Sequence, residues 1–459
     1  MKDKFTEMPH SKANIDFAKD IGQLCLKNHS YGIGGVNSTA MPEKITDGMK
    51  KLKPKLIRIF IQEFFFIYDE NGNLDFNRLD PYMKAVNDTG ADIMASICIK
   101  PKSLYPVVDE NIWMPNDVEK WQYIIYEMVK RYSVDYKYVT YWGIGNEINI
   151  GEYGGCPYKI TDVSDYFEYY KMTAEAILRA CPDTKIGGPS FAGVSESTFK
   201  FFEDFIPLCI NENIQLDFIS YNIYSDGFDY HTSSARKIKE IAGKYDENIE
   251  VYVTEMNIGI GGEISIEEKA YDSKRAAGLA AIILEYNEKV PEVGTFQYHI
   301  YDQYCDPHEF SPFYARHRYM ANHWDDEPHR LGLFDLDGKE RPQYQMYSLL
   351  NDMAAQRVEA GTDNADIRIL ASKDEGIERE KVTLFLTNYN GGVNSDTVMS
   401  LYLKNCFSGM ARFTVQRIDN IGAPGLKVTE DRLTYVHSDF WFSVFVPADS
   451  CVMVTIILQ

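Results

Sequence analysis

The sequence predicts an α/β protein: a (β/α)8 TIM barrel carrying a C-terminal β-sandwich. Between about residues 29 and 353, eight short runs rich in β-branched and aromatic residues alternate with helical patterns. Strands that alternate with helices imply parallel βαβ units, and eight such units close a barrel. Beyond about residue 357 the helical period disappears. Short strands then follow one another with Gly, Asn, Asp and Pro between them, the pattern of a β-sandwich of roughly 100 residues.

Residues 1–28 are polar with one short amphipathic stretch at 15–26, and are expected to pack on the barrel or the sandwich. The barrel, 29–353, then begins. Its strand candidates are HSYGIGGV (29–36), KLIRIFIQEFFFIY (55–68), ADIMASICIK (91–100), YVTYWGIGNE (138–147), TKIGGPS (184–190), LDFISYNIYS (216–225), VYVTE (251–255) and GTFQYHIY (294–301). Helical patterns fall at 42–53, 79–89, 115–131, 164–180, 195–211, 233–245 and 266–289, with Ser164 placed as an N-cap and Pro182 just past the end of that helix. A long segment, 302–330, follows the last strand and is too long for a routine connection. It carries His308, His317, His323, His329, Tyr314 and Trp324 and is expected to face the substrate as a lid, with stacking from Trp324 or Tyr314. It has no HxH or HExxH spacing, so no metal and no other cofactor is expected. Residues 331–353 end in a closing helix. The sandwich, 354–459, holds segments such as KVTLFLTNY, TVMSLYL and CVMVTIIL; a structural role for it is expected, with carbohydrate binding as the alternative.

Charge narrows the partners. Lys plus Arg number 47 against 68 Asp plus Glu, a formal charge of −21 that repels nucleic acid and anionic membranes. An aromatic share of 14% suits a protein that stacks sugar rings, although a large aromatic core would explain it equally. The eight cysteines, Cys25, Cys98, Cys156, Cys181, Cys209, Cys305, Cys406 and Cys451, form no CxxC pair and read as reduced thiols. The N-terminus MKDKFTEMPHSKAN has no apolar h-region, so a cytoplasmic protein is expected, a trimmed secretory signal being the alternative. Oligomeric state is not readable.

Two of the strands end in a carboxylate: Glu147 after Gly145-Asn146, and Glu255 after Thr254. A Glu at the end of a hydrophobic strand costs desolvation free energy unless water, a partner or a substrate meets it there. Barrel chemistry lies at the C-terminal ends of the strands, so Arg58, Asn146, Glu147, Asn222, Tyr224, Glu255, His299 and Tyr301 are projected onto one face. Arg58 lies among Ile and Phe and needs an anionic partner if it points inward. Two carboxylates so placed can serve glycoside hydrolysis, one as acid and base, one as nucleophile. Glu63, Glu152 and Glu263 are further candidates for shaping subsites.

These residues resemble glycoside hydrolase family 39, the β-xylosidases and α-L-iduronidases. The likeness rests on Gly145-Asn146-Glu147 and Thr254-Glu255, joined by KIGGPS (185–190), LDFISYNIY (216–224), VTEMN (253–257) and GLFDLDGKERPQY (332–344), and runs from about residue 29 to 350. It implies a retaining, exo-acting hydrolase of plant-type oligosaccharides, β-xylosidase-like, with Glu147 as acid/base and Glu255 as nucleophile. Asn146 would hold the sugar 2-OH, Tyr224 orient the nucleophile and Arg58 favour its ionised form, with Asn222, His299, Tyr301 and Trp324 as further substrate contacts. Three departures stand out. Ile148-Asn149 follows the acid/base where the family has Pro-Asn. Phe60 and Asn222 occupy positions where it tends to have His. YHIYDQY (298–304) lacks the Trp and acidic pair of a typical xylosidase. The alternatives are a β-glucosidase, β-galactosidase or arabinosidase, or a family member that binds a carbohydrate with little turnover. An enzyme of this fold using a metal is a further reading, which the sparse His and carboxylate spacing at the strand ends disfavours. An aldolase or isomerase would want a strand-end Lys or a phosphate loop, and neither is present.

Overall fold

The computed structural model describes residues 8–24, 30–260, 269–326, 330–375 and 380–459. Cys25, His29, Glu263 and His329 lie outside the described residues, as does the first part of the pattern at 266–289. The chain opens with β1 (His10–Gln23) and then builds the barrel from β2 (Ser30–Gly32), β3 (Leu56–Gln62), β4 (Asp92–Cys98), β5 (Val139–Ile144), β6 (Lys185–Ala192), β7 (Phe218–Tyr224), β8 (Glu250–Asn257) and β9 (Gly294–Tyr298). All neighbours are parallel, and β9 returns to β2 with Gln297 opposite Tyr31, closing the barrel. Each of the eight predicted runs overlaps one barrel strand, although β6 runs two residues past 184–190 and β8 extends beyond 251–255 at both ends.

The helices α1 (Glu43–Leu52), α2 (Leu79–Asn87), α3 (Val118–Val129), α4 (Val163–Ala180), α5 (Glu196–Asn211), α6 (Phe228–Gly243) and α7 (Ser273–Lys289) fill the connections. Asp162 rather than Ser164 caps α4: its carboxylate accepts from the N–H groups of Ser164 and Asp165 at 2.8 and 3.2 Å. An aspartate two residues upstream reaches both orphan donors, and Ser164 is left inside the first turn. A capping box of Ser195 and Thr198 starts α5.

Side chains inside the barrel are layered. At the N-terminal end Leu56, Met94, Phe218, Tyr252 and Phe296 form one apolar plug with Tyr141 packed against it. Two residues further along the same faces, by the period of the strand, come Arg58, Ser96, Ser220, Thr254 and Tyr298. The apolar layer closes the bottom of the barrel and leaves polar groups beneath the open end.

The 302–330 segment is partly helical, with α8 (Pro307–Phe310) and α9 (His317–Ala321), the latter continuing into a wider turn at Asn322–Asp326. After it come α10 (Pro342–Asn351) and the strands β10 (Gln356–Thr362), β11 (Ile367–Glu375), β12 (Glu380–Asn388), β13 (Thr397–Lys404), β14 (Gly409–Asp419), β15 (Gly425–Val436), β16 (Phe440–Val446) and β17 (Ser450–Leu458). These form one hydrogen-bonded sheet in the order β15-β14-β17-β12-β11-β10-β1-β13-β16. Phe413 of β14 and Phe442 of β16, near opposite ends of that order, have ring centroids 4.8 Å apart. The sheet therefore folds back on itself around a single core. The N-terminal segment supplies a strand of this domain: β1 pairs with β10 on one side and β13 on the other.

Helix α7 joins the two domains and is buried along nearly its whole length. Thr387 donates to the Ala277 carbonyl at 2.8 Å, and Arg368 pairs with Glu285 at 2.7 Å. A Cβ on Gly278 would lie 2.7 Å from Ile258 and 3.0 Å from Tyr389, so this glycine permits the helix to fit between barrel and sandwich.

Candidate active site

Glu147 stands just beyond β5 and Glu255 within the C-terminal turn of β8, and both line one cavity of about 360 Å3 at the open end of the barrel. The backbone is shaped to deliver them. Glu147 has φ 43°, a left-handed conformation that costs a non-glycine residue about 1–2 kcal/mol. Its N–H is anchored on the Ser190 carbonyl at 2.9 Å. A Cβ on Gly154 would fall 2.1 Å from Glu147 Oε2, so only glycine leaves that carboxyl its place. On β8 a register shift relative to β7 sets Glu255 directly opposite Asn222.

The two carboxyls have different partners. Glu255 Oε1 accepts from Arg58 at 2.8 Å, and its Oε2 accepts from the Tyr224 hydroxyl at 2.6 Å. Arg58, fully buried, also donates to Asn146 Oδ1 at 2.7 Å and Ser96 Oγ at 3.1 Å, which supplies the anionic partner its position demanded. Glu147 Oε1 accepts only an amide, Asn222 Nδ2, at 2.7 Å. Burial lifts both carboxyls above the usual range. Glu147 is lifted further by the charge of Glu255, whereas Arg58 and Tyr224 hold Glu255 back. Of the two, Glu147 is pushed the further above the usual range.

The remaining candidates divide. Asn146, Asn222, Tyr224 and Trp324 line the cavity with the two carboxyls; Arg58 lies beneath it. His299 and Tyr301 do not line it. Strand alternation aims Phe296 and Tyr298 inward, so Tyr298 occupies the wall and His299 turns away, its Nδ1 2.8 Å from the Tyr301 carbonyl oxygen. Tyr301 accepts from Gln303 at 3.0 Å and borders a separate cavity. Phe60, in a position where histidine was expected, lines the site with the Arg58 guanidinium 4.4 Å from its ring centroid. Tyr314 is one layer behind the wall, donating to Gln62 at 3.3 Å.

The lid places Tyr319, Met320, His323 and Trp324 over the cavity. Trp324 packs on Tyr298 with centroids 6.2 Å apart, and a Cβ on Gly34 would lie 2.7 Å from its ring. His323 is pushed down to about 4 by burial and is neutral at neutral pH. Glu152 is an anchor for this lid rather than a subsite residue: its two oxygens accept the backbone N–H groups of Ala315 at 2.9 Å and Arg316 at 2.7 Å. Glu152→Gln replaces one acceptor by a donor facing an N–H, which costs about 1–3 kcal/mol. The expected result is a raised KM with kcat little changed, measured by steady-state kinetics.

Glu63 is likewise removed from the cavity. It is buried beside Lys100, whose N–H it accepts at 2.8 Å, and burial pushes its carboxyl up to about 8. A raised carboxyl binds its proton more tightly folded than unfolded, so its contribution is present below about 4.5 and is lost as pH rises towards 8. Glu63→Gln should leave Tm unchanged near pH 4 and raise it at pH 8, as read by thermal denaturation.

Comparison with known proteins agrees with this architecture. The profile described as Glycosyl hydrolases family 39 matches residues 55–427. A β-xylosidase of Caldicellulosiruptor saccharolyticus is 21% identical over 455 residues, covering 90% of this chain and 86% of that protein. One from Geobacillus stearothermophilus is 27% identical over 119 residues, 25% of this chain and only 22% of that protein. Among solved structures, the monomeric β-xylosidase of Caulobacter crescentus CB15 superposes with a TM-score of 0.74 at 15% identity, covering 98% and 99% of the two chains. The chain thus belongs to glycosyl hydrolases family 39 and is a glycoside hydrolase.

Proposed function

We propose that the protein is a retaining, exo-acting glycosidase that removes a terminal uncharged sugar, β-xylose first among the candidates. The observation that carries this reading is the asymmetry of the two carboxyls facing one cavity: Glu255 held by a guanidinium and a phenol, Glu147 by a single amide. Retaining pairs stand about 5–5.5 Å apart. Close spacing is supported by Arg58, which reaches Glu255 and also Asn146, the neighbour of Glu147.

In the first step a Glu255 oxygen attacks the anomeric carbon, the glycosidic C–O bond breaks, and the Glu147 proton passes to the leaving oxygen. In the second, ionised Glu147 takes a proton from water, the water oxygen attacks the same carbon, and Glu255 departs as carboxylate. In this reading Asn146 meets the sugar 2-OH, and Trp324, Tyr298 and Phe60, which line the cavity, give the sugar apolar faces. Among the described lining residues, Glu147 and Glu255 are the only carboxyls and there is no Lys or Arg. That favours a neutral sugar over a uronic acid. The choice of β-xylose follows the relatives named above, and exo action follows the lid over a small cavity.

Removing the Asn222 amide takes away the bond that eases ionisation of Glu147. Asn222→Leu should therefore move the alkaline limb of the kcat/KM profile to higher pH, as the protonated acid persists further. A panel of aryl glycosides (β-xyloside, β-glucoside, β-galactoside, α-L-arabinosides, an α-L-iduronide) tests the function itself. Turnover of a neutral member, abolished in Glu255→Gln, is the expected outcome; binding of sugars without release of any aglycone would establish a non-hydrolytic binder instead.

A further inference from the structure

A second cavity, of about 430 Å3, lies against the β6–α5 connection and shares Ala192 and Gly193 with the catalytic cavity as a common wall. The space beside that wall is open: a Cβ on Gly193 would meet nothing within 4 Å. It stands on the acid/base side of the site. Glu147 donates its N–H to the Ser190 carbonyl, and Asn149, two residues on, is tied to Ala192 by a pair of bonds. The Asn149 amide donates to the Ala192 carbonyl at 3.1 Å, and the Ala192 N–H donates back at 3.0 Å.

The chemistry of the second cavity is distinctive. The chain has 25% charged residues, yet none of the eleven residues lining this cavity is charged. Asn149, Thr161, Ser195, Ser197, Thr198 and Tyr230 line it with an amide and hydroxyls, most of them held in place by bonds to one another and to the backbone, and Phe191 and Phe201 supply an aromatic floor. The rim is fixed by Tyr230, whose hydroxyl donates to the Val194 carbonyl at 2.8 Å and accepts from the Val194 N–H at 3.1 Å. At the N-terminus of α5 the Ser195–Thr198 capping box takes up two of the backbone donors. Hydroxyls, an amide and aromatic faces without charge suit an uncharged sugar.

We infer that the β6–α5 cavity is the leaving-group subsite of this enzyme and takes the uncharged sugar units of an oligosaccharide beyond the scissile bond. This rests on Glu147 being the acid, and deepens the proposed function by naming what lies on the aglycone side. Thr161 and Ser197 are both exposed on the rim, so tryptophan at either fills the cavity without disturbing the core. Binding is measured by titration calorimetry on Glu147→Gln, with and without Thr161→Trp or Ser197→Trp. The ligands are neutral β-1,4-linked trisaccharides of xylose and of glucose, with the matching methyl monosaccharide glycosides. The expected result is trisaccharide binding weakened at least tenfold by the tryptophan, with monosaccharide affinity within twofold of the parent. Equal weakening of both ligands, no weakening, or no trisaccharide binding in the parent would overturn the assignment. Because the readout is binding, a failure of the hydrolase reading shows separately, as absent turnover of the aryl panel with this binding pattern intact.

Discussion

Glu255→Gln is expected to lower kcat on every substrate by about 10^4-fold or more, whatever the leaving group. The substitution removes the atom that forms the bond to the anomeric carbon, and losses of that order are what removal of a nucleophile gives. Leaving-group acidity cannot compensate, because the first bond is never made. Arg58 is fully buried and loses its counter-ion in this variant; breaking a buried pair costs about 3–5 kcal/mol. Gln keeps an oxygen for the guanidinium but not the charge, so a fall in Tm accompanies the fall in rate. Chemistry is separated from stability by Glu255→Ala with added azide: turnover should return in part, giving a glycosyl azide of inverted configuration. A merely unfolded variant would not respond to azide.

The second large effect is selective. Glu147→Ala is expected to lower kcat/KM about 10^2- to 10^4-fold on aglycones that need a proton to leave, the range attributed to general acid catalysis. For a dinitrophenyl glycoside the loss in kcat/KM should be much smaller, because that phenolate departs unprotonated. Its second step lacks a base, so the intermediate accumulates and a burst of aglycone appears. Azide should restore turnover here with retention of configuration. Opposite stereochemical outcomes at the two sites assign the roles that the hydrogen-bond partners of Glu147 and Glu255 suggest.

How far such a site is legible in sequence depends on the range of the interactions. The barrel strands are read from short apolar runs punctuated by polar residues, since each is buried on both faces. Strand-end position then brought Asn146, Glu147, Asn222, Tyr224 and Glu255 to one place, because a closed parallel barrel leaves them no other, whereas Arg58 sits well inside β3 and reaches Glu255 from beneath. His299 and Tyr301 failed for a local reason: β9 ends at Tyr298, and period two assigns the inward position to that residue. The signal was present in Phe296 and Tyr298, two residues apart.

Long-range partners left less trace. Glu152 reads as a loop glutamate, yet the N–H groups that donate to it belong to residues 163 and 164 positions away. β1 reads as a polar stretch because only Ser11, Ala13, Ile15 and Phe17 are buried while the residues between them are exposed or only partly covered. Its pairing with β10 and β13 depends on chain more than 300 residues further on, which no local pattern carries. Trp324 was found through the length of its loop, whereas Tyr319, Met320 and His323 entered the cavity wall through a helical turn that their polar surroundings did not announce.

The central claim is that Glu255 becomes covalently attached to the sugar, so the product keeps the configuration of the substrate. Proton NMR of the anomeric region during the first minutes of hydrolysis, on whichever aryl glycoside is turned over, tests it without presupposing the sugar. The account predicts that the anomer appearing first matches the substrate, with the other arising only by later mutarotation. First appearance of the opposite anomer would mean direct displacement by water, and Glu255 would then be a base and not a nucleophile.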